Sequence, residues 1–320
     1  MPYKFILGSC LVFVGAVCFS GKAVIVKLAY AYEVDPVSLL ALRMLFSLPF
    51  FIVIGLFSNK DRNVKKITRH EWRSIILLGV LGYYLSSLFD FQGLRYVTAS
   101  LERLILFIYP TLVVLIVAIV YKKKITKRQY IALAMTYLGI LVAFVFDADL
   151  LEQPNLALGA SLIFCSAITY AIYLIGSGKM IHKVGTIRFT SYAMICSALA
   201  ILIHTYFVNG LAIWNYETEV YLLSLGMAIG ATVIPSFMIS GGIKLIGADN
   251  AAIIGSVGPV STIVLAYIFL QEVITISQLI GTIFVLGGVL MITLTKERAA
   301  DLSPLSQSDS KPIEAATEEA

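Results

Sequence analysis

The sequence predicts an all-α integral membrane protein of ten transmembrane helices, arranged as two inverted five-helix repeats. Three observations carry that prediction. Of the 320 residues, 59% are hydrophobic and 13% charged, against about 45–50% and about 25% in soluble domains, so too few charges are present to cover a water-exposed surface. The apolar residues gather into recurrent runs between Phe5 and Thr295, each near the ~20 residues a helix needs to cross the hydrocarbon core. The chain also matches itself at an offset of 149 residues. Ten crossings leave room only for short loops and a tail, which excludes a separate soluble catalytic or receptor domain. β-Branched runs such as Thr111–Val120 are read as helix, because a lone spanning strand leaves its backbone groups unpaired in lipid.

The elements follow in order. Helix 5–30 opens after Lys4; its run outlasts the apolar region of a secretory signal peptide, and the segment is needed to complete a repeat. Helix 36–58 starts at Asp35-Pro36 and carries Arg43; helix 72–94 carries Ser87 and Asp90; helix 98–121 carries Glu102, Arg103, Tyr109 and Pro110; helix 127–146 closes the first unit. The second unit comprises 156–177 with Tyr170, 187–208, 219–242 with Pro235 and Ser236, 249–270 with Pro259, and 275–295. Domain bounds are 1–148, 149–298 and a tail, 299–320. That tail is polar and acidic, too poor in large apolar residues to form a core, and is read as a disordered cytoplasmic extension. Cys10, Cys18, Cys165 and Cys196 all lie in apolar segments and are read as small core residues rather than a disulfide framework.

Lysine and arginine counts set the orientation. Alternate loops hold Lys60, Arg62, Lys65, Lys66 and Arg69, then Lys122, Lys123, Lys124, Lys127 and Arg128, then Lys179 and Lys183. The loops between them hold Glu33 and Asp35, then Asp147, Asp149 and Glu152, then Glu217 and Glu219. Both termini are therefore placed in the cytoplasm, and the formal charge of +5 is spent on orientation rather than on a nucleic-acid partner.

The internal match aligns Gly79–Val142 with Ala228–Met291 without a gap. Ser87 meets Ser236, Gly93 meets Gly242, Ala99 meets Ala248, Pro110 meets Pro259, Ile125-Thr126 meets Ile274-Thr275, Gln129 meets Gln278 and Gly139 meets Gly288. A weaker match pairs Gly8 with Gly159 and Phe13 with Phe164. Five crossings per unit force the second unit to enter from the opposite side, and inverted repeats around a midplane site are the architecture of secondary transporters.

These residues carry a resemblance to the drug/metabolite transporter superfamily, specifically to EamA-type transporters with two tandem EamA repeats. The resembling features are Asp35-Pro36 through Ala41-Leu42-Arg43, and Ala248 through Pro259 to Gln271-Glu272, followed by Ile274-Thr275, Gln278 and Gly288. The first repeat departs from the pattern, with Lys123 at the position matching Glu272. The resemblance implies ten helices, both termini inside, and transport of amino acids or other small metabolites.

Ionisable residues at membrane depth are functional candidates by default. Lys22, Lys27, Arg43, Asp90, Glu102 and Arg103 all belong to the first repeat and all lie toward the external ends of their helices; Ala251 and Ala252 match Glu102 and Arg103 in the second. Arg43, roughly 10 Å below the start of its helix, calls for a partner that Asp90 or Glu102 could supply, whereas Lys22 and Lys27 are read as reaching outward to the interface. Two readings stand for the group: a structural ion-pair network, or a site that steers an anion or carboxylate. Pro110 and Pro259 sit well inside their helices and free the carbonyls of Leu106 and Gly255, either to shape packing or to face a solute; Pro235 adds a third break. Stripes at helical spacing carry Glu102, Leu106, Tyr109 and Val113; Tyr83, Ser87 and Asp90; and Ser166, Thr169/Tyr170, Tyr173 and Ser177.

The substrate-contact candidates are accordingly Arg43, Ser87, Asp90, Glu102, Arg103, Tyr109, Tyr170 and Ser236, with Pro110, Pro235 and Pro259 as helix breaks. No HExxH, GxSxG or Cys/His cluster is present, His70, His182 and His204 are far apart, and Ala16–Ala23 only imitates a phosphate loop. The expectation is a non-enzyme without cofactor or metal. It is a multi-pass protein of the cell (inner) membrane that exports a small amino-acid-like metabolite, with protons as the candidate coupling ion. Uptake or exchange on the same fold, a channel and a lipid flippase are the alternatives, and the oligomeric state is left open.

Overall fold

The computed structural model describes residues 2–58, 67–120, 122, 124–145, 154–210, 212–246, 254, 255 and 257–301. Among them every regular element is helical: α1 (Pro2–Tyr30), α2 (Pro36–Phe57), α3 (Arg69–Gly79), a π-helical turn (Val80–Leu85), α4 (Ser86–Gly93), α5 (Ala99–Leu106), α6 (Tyr109–Val120) and α7 (Lys127–Val145). There follow α8 (Leu156–Val184), α9 (Thr186–Asn209), a 3-10 turn (Ala212–Trp214), α10 (Thr218–Ala228), a second π-helical turn (Ile229–Val233), α11 (Ile234–Ile246), α12 (Gly258–Leu270) and α13 (Ile276–Asp301). Seven segments are long and apolar enough to cross a membrane, Tyr3–Tyr30, Pro36–Phe57, Arg69–Gly93, Ala99–Val120, Leu156–Gly178, Thr186–Asn209 and Thr218–Ile239, and two shorter apolar helices, Gly258–Leu270 and Ile276–Met291, accompany them.

Local chemistry sets several boundaries. Asp35 caps α2 by accepting from Ser38 N at 3.0 Å, with Pro36 in the first turn where its missing N–H is harmless. Thr68 and Glu71 form a reciprocal capping box on α3. The sixth predicted helix runs past 177 because Ser177 and Gly178 are accommodated within it; α8 stops instead at Gly185, whose φ of +89° a side chain rarely adopts. The last helix passes its expected end at 295 and reaches Asp301. Lys60, Arg62, Lys65, Lys66, Lys123, Asp147, Asp149, Glu152, Ala248, Ala251, Ala252, the 148/149 boundary and residues 302–320 lie outside the described residues.

Two expectations are corrected. Pro110, Pro235 and Pro259 do not kink uninterrupted helices: each is the second residue of a new segment, α6, α11 and α12. Fixed φ and the absent N–H suit a first turn, and α5 closes ahead of Pro110 through Ile108 N donating to Ile105 O at 3.1 Å. Among the described residues, Pro49 of α2 is the proline that lies inside a helix. The cysteines are free, and Cys10 and Cys165 are exposed on the apolar exterior rather than packed in the core.

Packing follows close approaches of small residues, the means by which helices associate where lipid removes the hydrophobic drive between them. α1 packs on α11 and α12, α2 on α9, α4 on α8, and α7 on α13. A Cβ on Gly8 would meet Ile246 Cγ2 at 2.5 Å and one on Gly242 would meet the Gly8 carbonyl at 2.9 Å; Gly93 and Gly159 approach likewise, a Cβ on Gly93 meeting the Gly159 carbonyl at 3.0 Å. The internal alignment carries one contact onto the other, Gly8 onto Gly159 and Gly242 onto Gly93, so the correspondence read from sequence reappears as a repeated contact. The two π-helical turns also start at matched positions, Val80 and Ile229.

Candidate functional site

Between these helices lies a cavity of about 590 Å³ whose wall draws on both repeats. α1 contributes Ser20 and Lys22, α2 Arg43, the first π turn Tyr83, and α4 Ser86, Ser87 and Asp90. α5 and α6 contribute Arg103, Leu106, Tyr109 and Pro110, α8 Ser166 and Tyr170, α9 Thr190 and Met194, and the second repeat Thr232, Ser236, Gly255 and Gly258. Of the expected contact residues, Arg43, Ser87, Asp90, Arg103, Tyr109, Tyr170 and Ser236 therefore share one wall. Leu106 and Gly255 also line it, the two positions whose carbonyls the prolines deprive of a donor. Glu102 does not; it is 0% exposed and sits behind the wall.

The π-helical turns are the feature sequence reasoning missed. Ser86 N–H reaches Leu81 O and Ile234 N–H reaches Ile229 O, five residues back, which rotates the following segment and frees backbone acceptors, a geometry common at functional sites. In the second turn Thr232 Oγ1 donates to Met227 O at 3.0 Å and accepts from Arg43 Nε at 3.1 Å. Arg103 Nε likewise donates to Thr262 Oγ1 at 3.0 Å, and its Nη2 to Phe19 O at 3.3 Å. Each of the two wall arginines, Arg43 and Arg103, is thus held by a threonine of the second repeat.

The expected pairing of Arg43 with Asp90 or Glu102 is not formed. Lys22 takes Asp90 Oδ2 as a hydrogen-bonded ion pair, and its Nζ lies 3.6 Å from Glu102 Oε1, whose other oxygen is 3.9 Å from Arg103 Nε. Lys22 therefore turns inward rather than snorkelling, and it belongs with the site residues the sequence reading passed over. Its place in the middle of an apolar run was the signal available. Lys27 points to Leu94 O at 3.1 Å. Arg43, 4% exposed, keeps its guanidinium over the Phe91 ring at 5.5 Å. Arg43 Nη1 is buried without a hydrogen-bond acceptor, while Asp90 Oδ1 and both Glu102 oxygens are buried without a donor.

The wall beyond this charged end is aromatic. Tyr109 and Tyr170 meet edge to face at 5.1 Å between ring centres, Tyr170 stacks on Tyr173 at 5.7 Å, and Tyr83 OH bonds Tyr173 OH at 2.8 Å. Tyr173 and Ser177, expected on this stripe, are buried in helix packing instead. Ser86 and Ser166 join α4 to α8, Ser166 Oγ donating to Ser86 O at 2.8 Å, as hydroxyls do between membrane helices.

Where α1 and α4 run on past Lys22 and Asp90, hydrogen bonds across the repeats draw the helices together. The Glu272 carboxylate, just after Gln271 with its φ of +53°, accepts from Ala99 N at 2.8 Å, from Ser100 N at 3.2 Å and from Ser100 Oγ at 2.7 Å, capping α5. At the same end Tyr30 OH donates to Phe91 O at 2.5 Å, and Asn209 Nδ2 reaches Asp35 Oδ2 at 2.7 Å. Beside these contacts lies a separate open pocket bordered by Tyr30, Glu33, Val34, Asp35 and Arg95. In the opposite direction the main cavity continues to Val12, Leu174, Thr190 and Ile239.

Known proteins match this architecture along nearly the whole chain. The EamA-like transporter family model matches residues 6–145 and again 157–294. The uncharacterized transporter YcbK of Bacillus subtilis (strain 168) is 32% identical over 290 residues, 89% of this chain and 91% of that protein. An uncharacterized transporter of Synechocystis, sll1319, is 25% identical across 91% of this chain and 94% of its own length. Protein PecM of Dickeya dadantii is 22% identical across 74% of this chain and 80% of its own length. A solved crystal structure superimposes with a TM-score of 0.62 at 18% identity, covering 91% of this chain and 98% of its own, a likeness of fold alone. Two matched repeats, with the multi-pass apolar helices that carry them, establish that this chain belongs to the EamA-like transporter family.

Proposed function

We propose that this transporter is a secondary carrier that exports a small amphipathic metabolite, amino-acid-like in size and in bearing a carboxylate, across the cytoplasmic membrane by alternating access. The observation that supports the reading is one cavity walled by both repeats, with hydrogen bonds from α5 to Glu272 joining the two repeats beside it. In this reading the chain crosses the membrane ten times as two inverted units, 1–148 and 149–298, with both termini and the 299–320 tail in the cytoplasm. The seal at Glu272 then closes the external side, and the cavity faces inward. Arg43, Arg103 and Asp90 form the charged end of the binding site with Glu102 behind them, Ser87, Tyr109, Tyr170 and Ser236 its wall, and Pro110, Pro235 and Pro259 the starts of the half-helices that reshape it. Protons are the coupling ion, taken up at Glu102 or Asp90, whose oxygens without donors are places for one. Counterflow in proteoliposomes tests the reading: external unlabelled solute accelerates release of the same labelled solute from a carrier. Equal flux with and without trans solute makes the protein a channel and overturns alternating access.

A further inference from the structure

The wall of the cavity carries three cations, Lys22, Arg43 and Arg103, and one carboxylate, Asp90. Lys22 already holds one oxygen of that carboxylate, Oδ2, and leaves Oδ1 without a donor. Glu102, behind the wall, sits between Lys22 and Arg103. Two acids thus balance two of the cations, and Arg43 is left over. Its Nε is held by a neutral hydroxyl, its face rests on Phe91, and its Nη1 is buried without an acceptor. A guanidinium N–H in a low-dielectric wall with no acceptor is a place for an anionic oxygen.

Building on the transport reading above, we infer that the cavity takes organic acids with a flat apolar body: Arg43 binds the carboxylate, the tyrosines bind the body, and Lys22 fills the place an amine would need. A zwitterion brings an ammonium group that must share Asp90 with Lys22, at the donor-free Oδ1, or displace Lys22 from it, in either case beside three cations. Like charges in a dry wall penalise it more than any contact to its carboxylate returns. The tyrosines of the wall suit a planar body, since Tyr109 and Tyr170 meet edge to face in a chain of rings that continues to Tyr173. Lys22 is then a specificity-determining residue, a tethered ammonium that makes a deaminated acid the better substrate than its amino acid.

Isothermal calorimetry on the detergent-solubilised full chain, with 3-phenylpropionate, its amide, pentanoate and phenylalanine as probes, tests this directly. The expected order has 3-phenylpropionate tightest, with the other three at least ~10-fold weaker. Arg43→Gln removes the preference for 3-phenylpropionate over its amide. Lys22→Met exposes Asp90 and improves phenylalanine relative to 3-phenylpropionate ~10-fold. Phenylalanine or the amide binding the unmutated chain as tightly as 3-phenylpropionate overturns the inference, as does binding of none of the four, so the probe series decides even if a variant does not fold. Counterflow in proteoliposomes separates this inference from the reading beneath it. Counterflow confined to solutes outside this class keeps the transport mechanism and refutes the inference, whereas 3-phenylpropionate binding without counterflow does the reverse.

Discussion

Replacing Glu272 by Ala should change which side of the membrane reaches the cavity. The side chain is partly exposed and makes three hydrogen bonds to α5, two of them to backbone N–H groups at a helix N-terminus. Hydrogen bonds to a charged acceptor contribute about 1.5–3 kcal/mol each when buried, and loss of a helix cap costs about 1 kcal/mol. With exposure discounted, about 2 kcal/mol is a reasonable figure for the clamp as a whole. α12 and α5 belong to different repeats, so the clamp exists only while this end is shut, and its loss favours the opposite state by about 30-fold. The matched position in the first repeat is Lys123, which has no acceptor, so no equal and opposite clamp offsets the change. The assay is maleimide labelling of Ser87→Cys, a wall position, in a background lacking Cys10, Cys18, Cys165 and Cys196, with an impermeant reagent on the side bearing Glu33 and Asp35. Glu272→Ala should raise the labelling rate by about 30-fold and Glu272→Gln, which keeps an acceptor but loses the charge, by about 5-fold. Unchanged labelling together with a lower melting temperature would show that the carboxylate merely stabilises α5 in every state, and the argument from the seal would fail.

Other outcomes follow from the same contacts. Glu102→Gln leaves solute counterflow intact but abolishes the dependence of net transport on a pH gradient, the surrounding Lys22, Asp90 and Arg103 being unchanged; gradient-driven flux that persists assigns coupling elsewhere. Gly93→Val destabilises the bundle by about 2 kcal/mol, because even its Cβ would stand 2.4 Å from Ile163 Cδ1, whereas Gly178→Ala, with open space around it, is neutral or mildly stabilising in a thermal melt. Tyr173→Phe removes the hydroxyl that meets Tyr83 at 2.8 Å and lowers stability by about 1 kcal/mol without altering the charged end; a melt that does not move shows that Tyr83 finds another partner. Thr232→Val strips Arg43 Nε of its acceptor and weakens binding of a carboxylate probe while leaving an uncharged one unaffected, read by calorimetry.

Periodicity and composition made the helices legible because apolar length is itself the physical requirement for crossing lipid. The repeat register was legible too, since glycines and prolines act on the backbone and leave their mark whatever packs around them: Gly8 and Gly159, matched in sequence, touch Gly242 and Gly93, which are themselves matched. What stayed hidden depends on distances between helices. Nothing in the order of residues says that Lys22 rather than Arg43 reaches Asp90, because the choice is made by how α1, α2 and α4 cross. The π-helical turns were hidden for a different reason: a single inserted residue per turn leaves the composition of a helix unchanged, and only the i→i+5 bonds at Ser86 and Ile234 disclose it. Pro110 and Pro259 misled in one respect, since the same missing N–H that kinks a helix also suits the first turn of a new one.

The lopsided charges acquire a physical reason once their partners are known. In two related halves that exchange roles, identical charged groups would make both ends of the cavity alike, and the two access states would bind solute with the same contacts. Here the first repeat supplies Lys22, Arg43, Asp90, Glu102 and Arg103, and the second supplies hydroxyls, Thr232 and Thr262, to the two arginines. Arg43, held across the repeat boundary by Thr232 rather than by an acid, keeps its guanidinium charge available, which an ion pair would have cancelled, and it loses that hydrogen bond when the halves move. Transport in the proposed cycle thus changes the environment of Arg43 between the two states, with Thr232 bound in one and absent in the other. A solute carboxylate that replaces the lost acceptor stabilises the second state more than the first, and this differential contact is what a ligand needs in order to drive a conformational change.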